Sequence, residues 1–189
     1  MKKSTKSILV ILALMAVYLI WGTTYLAIAY TLKGFKPFTI SALRYLSAGL
    51  ILSAWLWLKK SHWPPKKDIK VLMISGILML SGGSGLVVAG EQYISSGAAA
   101  VIMATEPLFF VLLDRSRWKI YFTNRLVIAG IIIGFAGIAL FARFSAGDPG
   151  VIHSRPFLGT AITLFSAISW VVGALYANRK LSSRAGNLA

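Results

Sequence analysis

Six long apolar stretches, at 8–32, 37–58, 71–90, 92–113, 126–142 and 157–178, constrain this chain more than any other feature of it. Each is at or near the roughly 17–25 residues that a helix needs to cross about 30 Å of hydrocarbon. Threading the chain back and forth across a bilayer places its loops alternately in two compartments, and the basic residues divide unevenly between them. One side collects Lys2, Lys3 and Lys6; Lys59, Lys60, Lys66, Lys67 and Lys70; Arg115, Arg117, Lys119 and Arg125; and Arg179, Lys180 and Arg184. The other side holds Lys33, Lys36, Arg143 and Arg155, while Arg44 falls inside a span. Cytoplasmic loops carry the Lys/Arg excess. The pattern predicts an all-α integral membrane protein with six transmembrane helices and both termini in the cytoplasm. Fifteen basic residues against four also disfavour a dual-topology homodimer.

Composition narrows the function classes. The chain is 57% hydrophobic and only 13% charged, well outside the soluble norm. Its net charge of +15 would suggest nucleic acid in a soluble protein. Here the basic residues sit in short loops beside spans, where orientation and the anionic headgroups of the lipid bilayer account for them, so no nucleic-acid partner is expected. Without cysteine there is no disulfide framework, thiolate metal site or nucleophilic thiol. The basic start and Ala27-Ile28-Ala29 superficially suggest a cleaved leader. The first apolar run is too long for one and carries Tyr18, Trp21 and Tyr25, so it reads as a retained helix.

The loops punctuate the spans. Gly34-Phe35-Lys36-Pro37 is a tight turn with proline at a helix start. Ser61-His62-Trp63-Pro64-Pro65 breaks the chain on the basic side. The third and fourth spans meet near Gly90 and Ser96 as a close hairpin. Residues 114–125 form a connector whose Trp118, Tyr121 and Phe122 suit the membrane interface, as do Trp55, Trp57 and Trp63 at the end of the second span. The loop at 145–155, with Gly147-Asp148-Pro149-Gly150, is the best boundary between units. Trp21 in the first span and Trp170 in the sixth occupy similar mid-helix settings of small and aromatic residues. Five spans per unit would make a second copy start from the opposite side of the membrane, as in inverted-repeat transporters.

Several segments resemble the EamA family of the drug/metabolite transporter superfamily. They are Ile20-Trp21-Gly22-Thr23-Thr24-Tyr25, Pro37-Phe38 through Arg44-Tyr45-Leu46-Ser47-Ala48-Gly49, Tyr93-Ile94-Ser95-Ser96-Gly97, Ala104-Thr105-Glu106-Pro107-Leu108-Phe109, and Gly130 through Gly137-Ile138-Ala139-Leu140. The resemblance implies two inverted five-helix repeats around a central substrate cavity, in a bacterial cytoplasmic (inner) membrane. On that plan residues 8–142 are the first repeat, 143–156 an external linker, 157–181 the first helix of an incomplete second repeat, and 182–189 a cytoplasmic tail. Four helices of the second repeat have no counterpart after Arg179. The expected partners therefore include a second chain or a missing C-terminal half, besides the bilayer and a small-molecule substrate.

Charges inside hydrocarbon are costly and tend to be functional. At 1.5 Å per residue, Arg44 lies about 5 Å to one side of its helix midpoint and Glu106 about 5 Å to the other side of its own. Glu106 suits a cationic group or proton and Arg44 an anionic one. The alternative is structural polar contacts with carbonyls, hydroxyls or water. Pro107 leaves the carbonyl of Met103 without a helical donor, which bends the span and also offers an exposed acceptor. Trp21, Thr24, Tyr25 and Trp170 can line a pocket or simply pack. The small multidrug relatives use a first-helix carboxylate, and the first span here has none. Gly130, Gly134 and Gly137 recur on one helix face and suit helix packing. Ser81-Gly82-Gly83-Ser84-Gly85 lacks the Lys-Ser/Thr of a phosphate loop. It reads instead as a discontinuous polar stretch facing the cavity.

Enzyme readings find little support. His62 and His153 are loop residues on opposite sides, and the five acidic residues are scattered. No catalytic residue, metal site or cofactor is expected. The sequence therefore points to a secondary transporter, a permease or exporter of small metabolites, amino acids or drugs by alternating access. Its alternatives are a non-transporting fragment or assembly subunit and, remotely, a membrane-embedded enzyme.

Overall fold

A computed structural model of the chain describes the backbone of residues 2–60, 64–145 and 155–181, and the side chains of 8–60, 64–140 and 155–181. The side chains of Lys2, Lys3, Lys6 and Arg143, the break at His62-Trp63, the loop holding Gly147 to Gly150 and His153, and the tail with Arg184 lie outside the described residues.

Among the described residues every regular element is helical. Helix α1 spans Lys2–Thr31 and α2 spans Pro37–Leu58. The turn between them closes through Gly34 N–H donating to Thr31 O at 3.1 Å. Pro37 opens α2, where its missing N–H removes nothing from the helix. Lys60 takes φ 51° just past the end of α2, the left-handed conformation that terminates helices. The third span, Lys66–Gly90, is one unbroken helical run. It comprises α3 (Lys66–Gly76), a π-helical segment (Ile77–Gly85) and α4 (Leu86–Gly90). The stretch expected to be discontinuous is therefore corrected: the glycine-rich chain widens its helix instead of unwinding.

The fourth span is broken. Ser95 caps α5 (Ser96–Met103) by accepting from Ala98 N–H at 3.2 Å, and α6 (Glu106–Leu113) restarts after a two-residue step. Pro107 explains the step, since it offers Met103 O no donor. Thr105 Oγ1 steadies the break by donating to Ile102 O at 2.6 Å. A single 3-10 turn (Arg115–Arg117) and α7 (Trp118–Thr123) then bend by 101° into α8 (Arg125–Ser145). Asn124 Oδ1 caps that helix by accepting from Leu126 N–H at 2.9 Å. Helix α9 (Pro156–Lys180) completes the chain. Among the described residues five helical runs are long and apolar enough to cross a membrane, or six if the bent α7–α8 pair is counted as one span.

The core forms where α9 lies against the third and fourth spans. Its buried face is built from small residues, Gly159, Thr163, Ser166, Ala167, Ser169, Val171 and Gly173, which let backbones approach closely. A Cβ added at Gly83 would stand 2.7 Å from Trp170 Cε3, and one at Gly159 would stand 3.1 Å from Gly90 O. A π-helix shifts the hydrogen-bond register to i→i+5, and α9 hydroxyls meet the wide segment's carbonyls. Ser166 Oγ donates to Gly83 O at 2.7 Å and Ser169 Oγ to Leu78 O at 2.8 Å.

The glycine stripe of α8 does not make this kind of contact. A Cβ added at Gly134 would stand 3.4 Å from Leu108 Cδ2, whereas Gly130 and Gly137 have no described neighbour within 4 Å of an added Cβ. The close helix packing expected there falls on α9, because its small residues are met by Gly83 and Gly90 on the facing span.

Candidate functional site

Helix α1 presents Ile20, Trp21, Thr24, Tyr25 and Ile28 at the three- and four-residue spacings that share one helix face. These residues wall a cavity of about 240 Å³. Its other walls are Arg44 and Tyr45 of α2, Ser84 of the π segment, Val87 of α4, Met103, Glu106 at the start of α6, and Trp170 of α9. The lining is mostly apolar with a few convergent polar groups, the usual character of a small-molecule site.

Six of the seven expected pathway residues meet here: Trp21, Thr24, Tyr25, Arg44, Glu106 and Trp170. Pro107 is not in the lining; it sits beside Glu106 at the start of α6. Trp21 and Trp170 touch edge to face, with ring centroids 6.4 Å apart and planes at 75°. Trp21 Nε1 also donates to the Tyr25 hydroxyl at 3.3 Å. That contact restrains the indole at the cavity wall. Thr24 spends its hydroxyl on Ile20 O at 2.8 Å, so it lends bulk more than polarity.

Arg44 and Glu106 share the cavity without forming an ion pair. The guanidinium instead lies 5.3 Å from the ring centroid of Tyr45, a cation–π placement. A cationic guanidinium and a carboxylate thus face one space from different helices, each with capacity left for a ligand. Tyr45, Val87 and Met103 were not among the expected lining residues, whereas Ser84 belongs to the polar stretch expected to face the cavity. Tyr45 follows Arg44 directly. Ser84 and Val87 stood in a stretch whose helical register the π segment shifts.

A second polar cluster joins the far end of the fourth span to α9. Asp114 is buried and accepts from Ser116 Oγ at 2.5 Å, Arg179 Nη2 at 2.8 Å and Tyr121 Oη at 3.4 Å, with Arg117 Nε at 3.7 Å. The Ser116 hydrogen bond first, and then Arg179, hold its carboxyl below the usual carboxylate range. Asp114 and Arg179 lie too far apart in sequence for any local pattern to pair them.

Comparison with known proteins gives one consistent answer. Residues 8–143 match the EamA-like transporter family. The chain is 36% identical over 168 residues to an uncharacterized inner membrane transporter of Escherichia coli strain K12, YedA, covering 88% of this chain and 52% of that protein. An uncharacterized transporter of Archaeoglobus fulgidus is 27% identical over 92% of this chain and 58% of its own length. The Bacillus subtilis uncharacterized transporter YdfC is 29% identical over 89% and 53%. The chain therefore spans about half the length of the relatives it matches. No solved structure matches it.

Proposed function

Because the chain belongs to the EamA-like transporter family, we propose that its cavity is the binding site of a secondary transporter for small zwitterionic metabolites bearing an apolar group. The observation that carries this reading is the convergence of Arg44, Glu106 and the Trp21–Trp170 pair on one space. Arg44 takes the carboxylate of an amino-acid-like substrate, Glu106 its ammonium, and the indoles its side chain. Flux proceeds by alternating access, with one repeat rocking against the other around this site.

Residues 8–142 form the first repeat on this reading and α9 opens the second. The Trp21–Trp170 contact supports it, since equivalent residues of two repeats can touch only near the pseudo-two-fold axis that relates them. The charge bias supports both termini in the cytoplasm of a bacterial inner-membrane protein, and the pairing of Arg179 with Asp114 is consistent with one shared side. C-terminal phosphatase and fluorescent reporters test the orientation; phosphatase activity would contradict it.

A second reading is that the chain works as one half of an assembly, completing its cavity with further helices. The length of the relatives favours it. Reconstitution in proteoliposomes with labelled amino acids separates the two. Uptake or exchange by the chain alone, abolished in Glu106→Gln, supports autonomous transport. Flux unchanged in Glu106→Gln removes that carboxyl from the mechanism.

A further inference from the structure

Glu91 closes the third span at its hairpin end, one residue past α4. It is buried, 6% exposed, and neither carboxylate oxygen has a hydrogen-bond partner. Its sequence neighbours explain the burial. Gly90 has no side chain, so α9 comes near enough that a Cβ there would meet Thr163 Oγ1 and lie 3.2 Å from Gly159 O. This seals the next residue beneath the hairpin.

Ser84, Val87 and Glu91 fall at i, i+3 and i+7, and the first two line the cavity. Glu91 lies one turn past Val87 toward the hairpin, beyond the residues that line the cavity. Tyr25, which also lines the cavity, lies within electrostatic reach of Glu91, Glu106 and Arg44 together. The titratable groups on the surrounding elements are Tyr25 of α1, Arg44 and Tyr45 of α2, Tyr93 of the turn itself and Arg155 at the start of α9. None of them gives Glu91 a hydrogen bond or an ion pair.

An ionised carboxylate in that setting has lost its water and gained no donor or cation in exchange, so the neutral acid is the form the site favours. We propose that Glu91 is a proton-binding site at the hairpin end of the cavity, resting on the transport reading above. It takes a proton from water before it is sealed and returns it to water when rearrangement hydrates the carboxyl. The step is a simple exchange, carboxylate and hydronium giving carboxylic acid and water, and needs no other reactant. A metal cation fits poorly, since it would demand several oxygen ligands and Glu91 has no described polar partner. Burial pushes this carboxyl up to about 8, so it titrates across neutral pH.

The test uses the full chain in lipid nanodiscs. The sequence contains two glutamates, Glu91 and Glu106. Labelling glutamate with ¹³C at the side-chain carboxyl in Glu106→Gln leaves Glu91 as the single labelled carboxyl, with its own surroundings unmutated. A ¹³C titration midpoint above pH 7 is expected. A midpoint in the ordinary glutamate range, near about 4.3, overturns the proposal. Infrared titration of wild type against Glu91→Gln gives an independent reading: the variant should lose one carboxylic-acid band present at neutral pH. Persistence of all such bands in a folded Glu91→Gln also overturns it. Neither measurement depends on flux. A high midpoint without transport would sink the transport reading and leave the proton site standing; transport with an ordinary midpoint would do the reverse.

Discussion

Replacing Gly173 by alanine tests the packing that holds the cavity's far wall in place. The added methyl would stand 2.7 Å from Met79 Cγ, 2.9 Å from Leu78 Cβ and 3.2 Å from Ser75 O. Met79 is flexible and can swing aside. Leu78 Cβ and the Ser75 carbonyl are fixed to the helix, so α9 itself must shift. Overpacking of this kind costs about 1–3 kcal/mol. Two effects oppose or add to that cost. Alanine in a helix interior is favoured over glycine by up to about 1 kcal/mol. Displacing α9 also strains the nearby Ser169–Leu78 hydrogen bond of 2.8 Å, which contributes about 1 kcal/mol. The clash and the strained bond outweigh the propensity gain, leaving a net loss of about 1–3 kcal/mol. Gly130→Ala is the control, because no described atom lies within 4 Å of its added Cβ. It should be neutral or stabilising by up to about 1 kcal/mol. Equilibrium unfolding of both variants in the same detergent measures the contrast. Gly173→Ala as stable as Gly130→Ala would refute the seam between α9 and the π segment.

Two further predictions concern the polar cluster and the indole pair. Because Asp114 is held below its ordinary value, it contributes stability fully present above the unfolded carboxylate value of about 3.9 and lost as pH falls through the lower folded value. Asp114→Asn should therefore lower stability at neutral pH, and the gap to wild type should close as pH falls below about 4. With Arg179 half-exposed, a cycle with Arg179→Gln should give a coupling no larger than about 1 kcal/mol, falling with salt. An unaltered acid limb in Asp114→Asn would contradict the cluster. For Trp21 and Trp170, a double-mutant cycle of alanine variants should yield a coupling of about 0.5–1.5 kcal/mol from the edge-to-face contact. Strict additivity would mean the rings do not meet.

Much of the site was legible in the sequence because membrane spans expose their exceptions. A charge or a mid-span tryptophan in an apolar run has few reasons to be there, so Arg44, Glu106, Trp21 and Trp170 stood out one at a time. That they converge was not legible, since each comes from a different helix and nothing in a single sequence fixes the rotation of one helix against another. The π segment was hidden for a related reason. Ser81 to Gly85 signals weak helix propensity, and an exposed stretch of that kind would unwind. Here Ser166 and Ser169, more than 80 residues away, donate to Gly83 O and Leu78 O and hold the widened coil closed.

Gly130, Gly134 and Gly137 show what spacing leaves open. Their spacing meets every requirement for a close-packed helix face, yet spacing does not say what lies opposite. The helix that achieves close approach, α9, does so with serine, threonine, alanine and single glycines, none of them in a regular glycine stripe. In hydrocarbon, where apolar burial between helices brings little, small size and a reachable carbonyl decide the contact. Gly173, Ser169, Ser166 and Gly159 satisfy both conditions along one face. That same face carries Trp170 to the cavity, so the indole is positioned by backbone-close packing on either side of it. Trp170 thus stands on the α9 seam, while Trp21 stands on α1, of which only Tyr25 and Ile28 are buried among the described side chains.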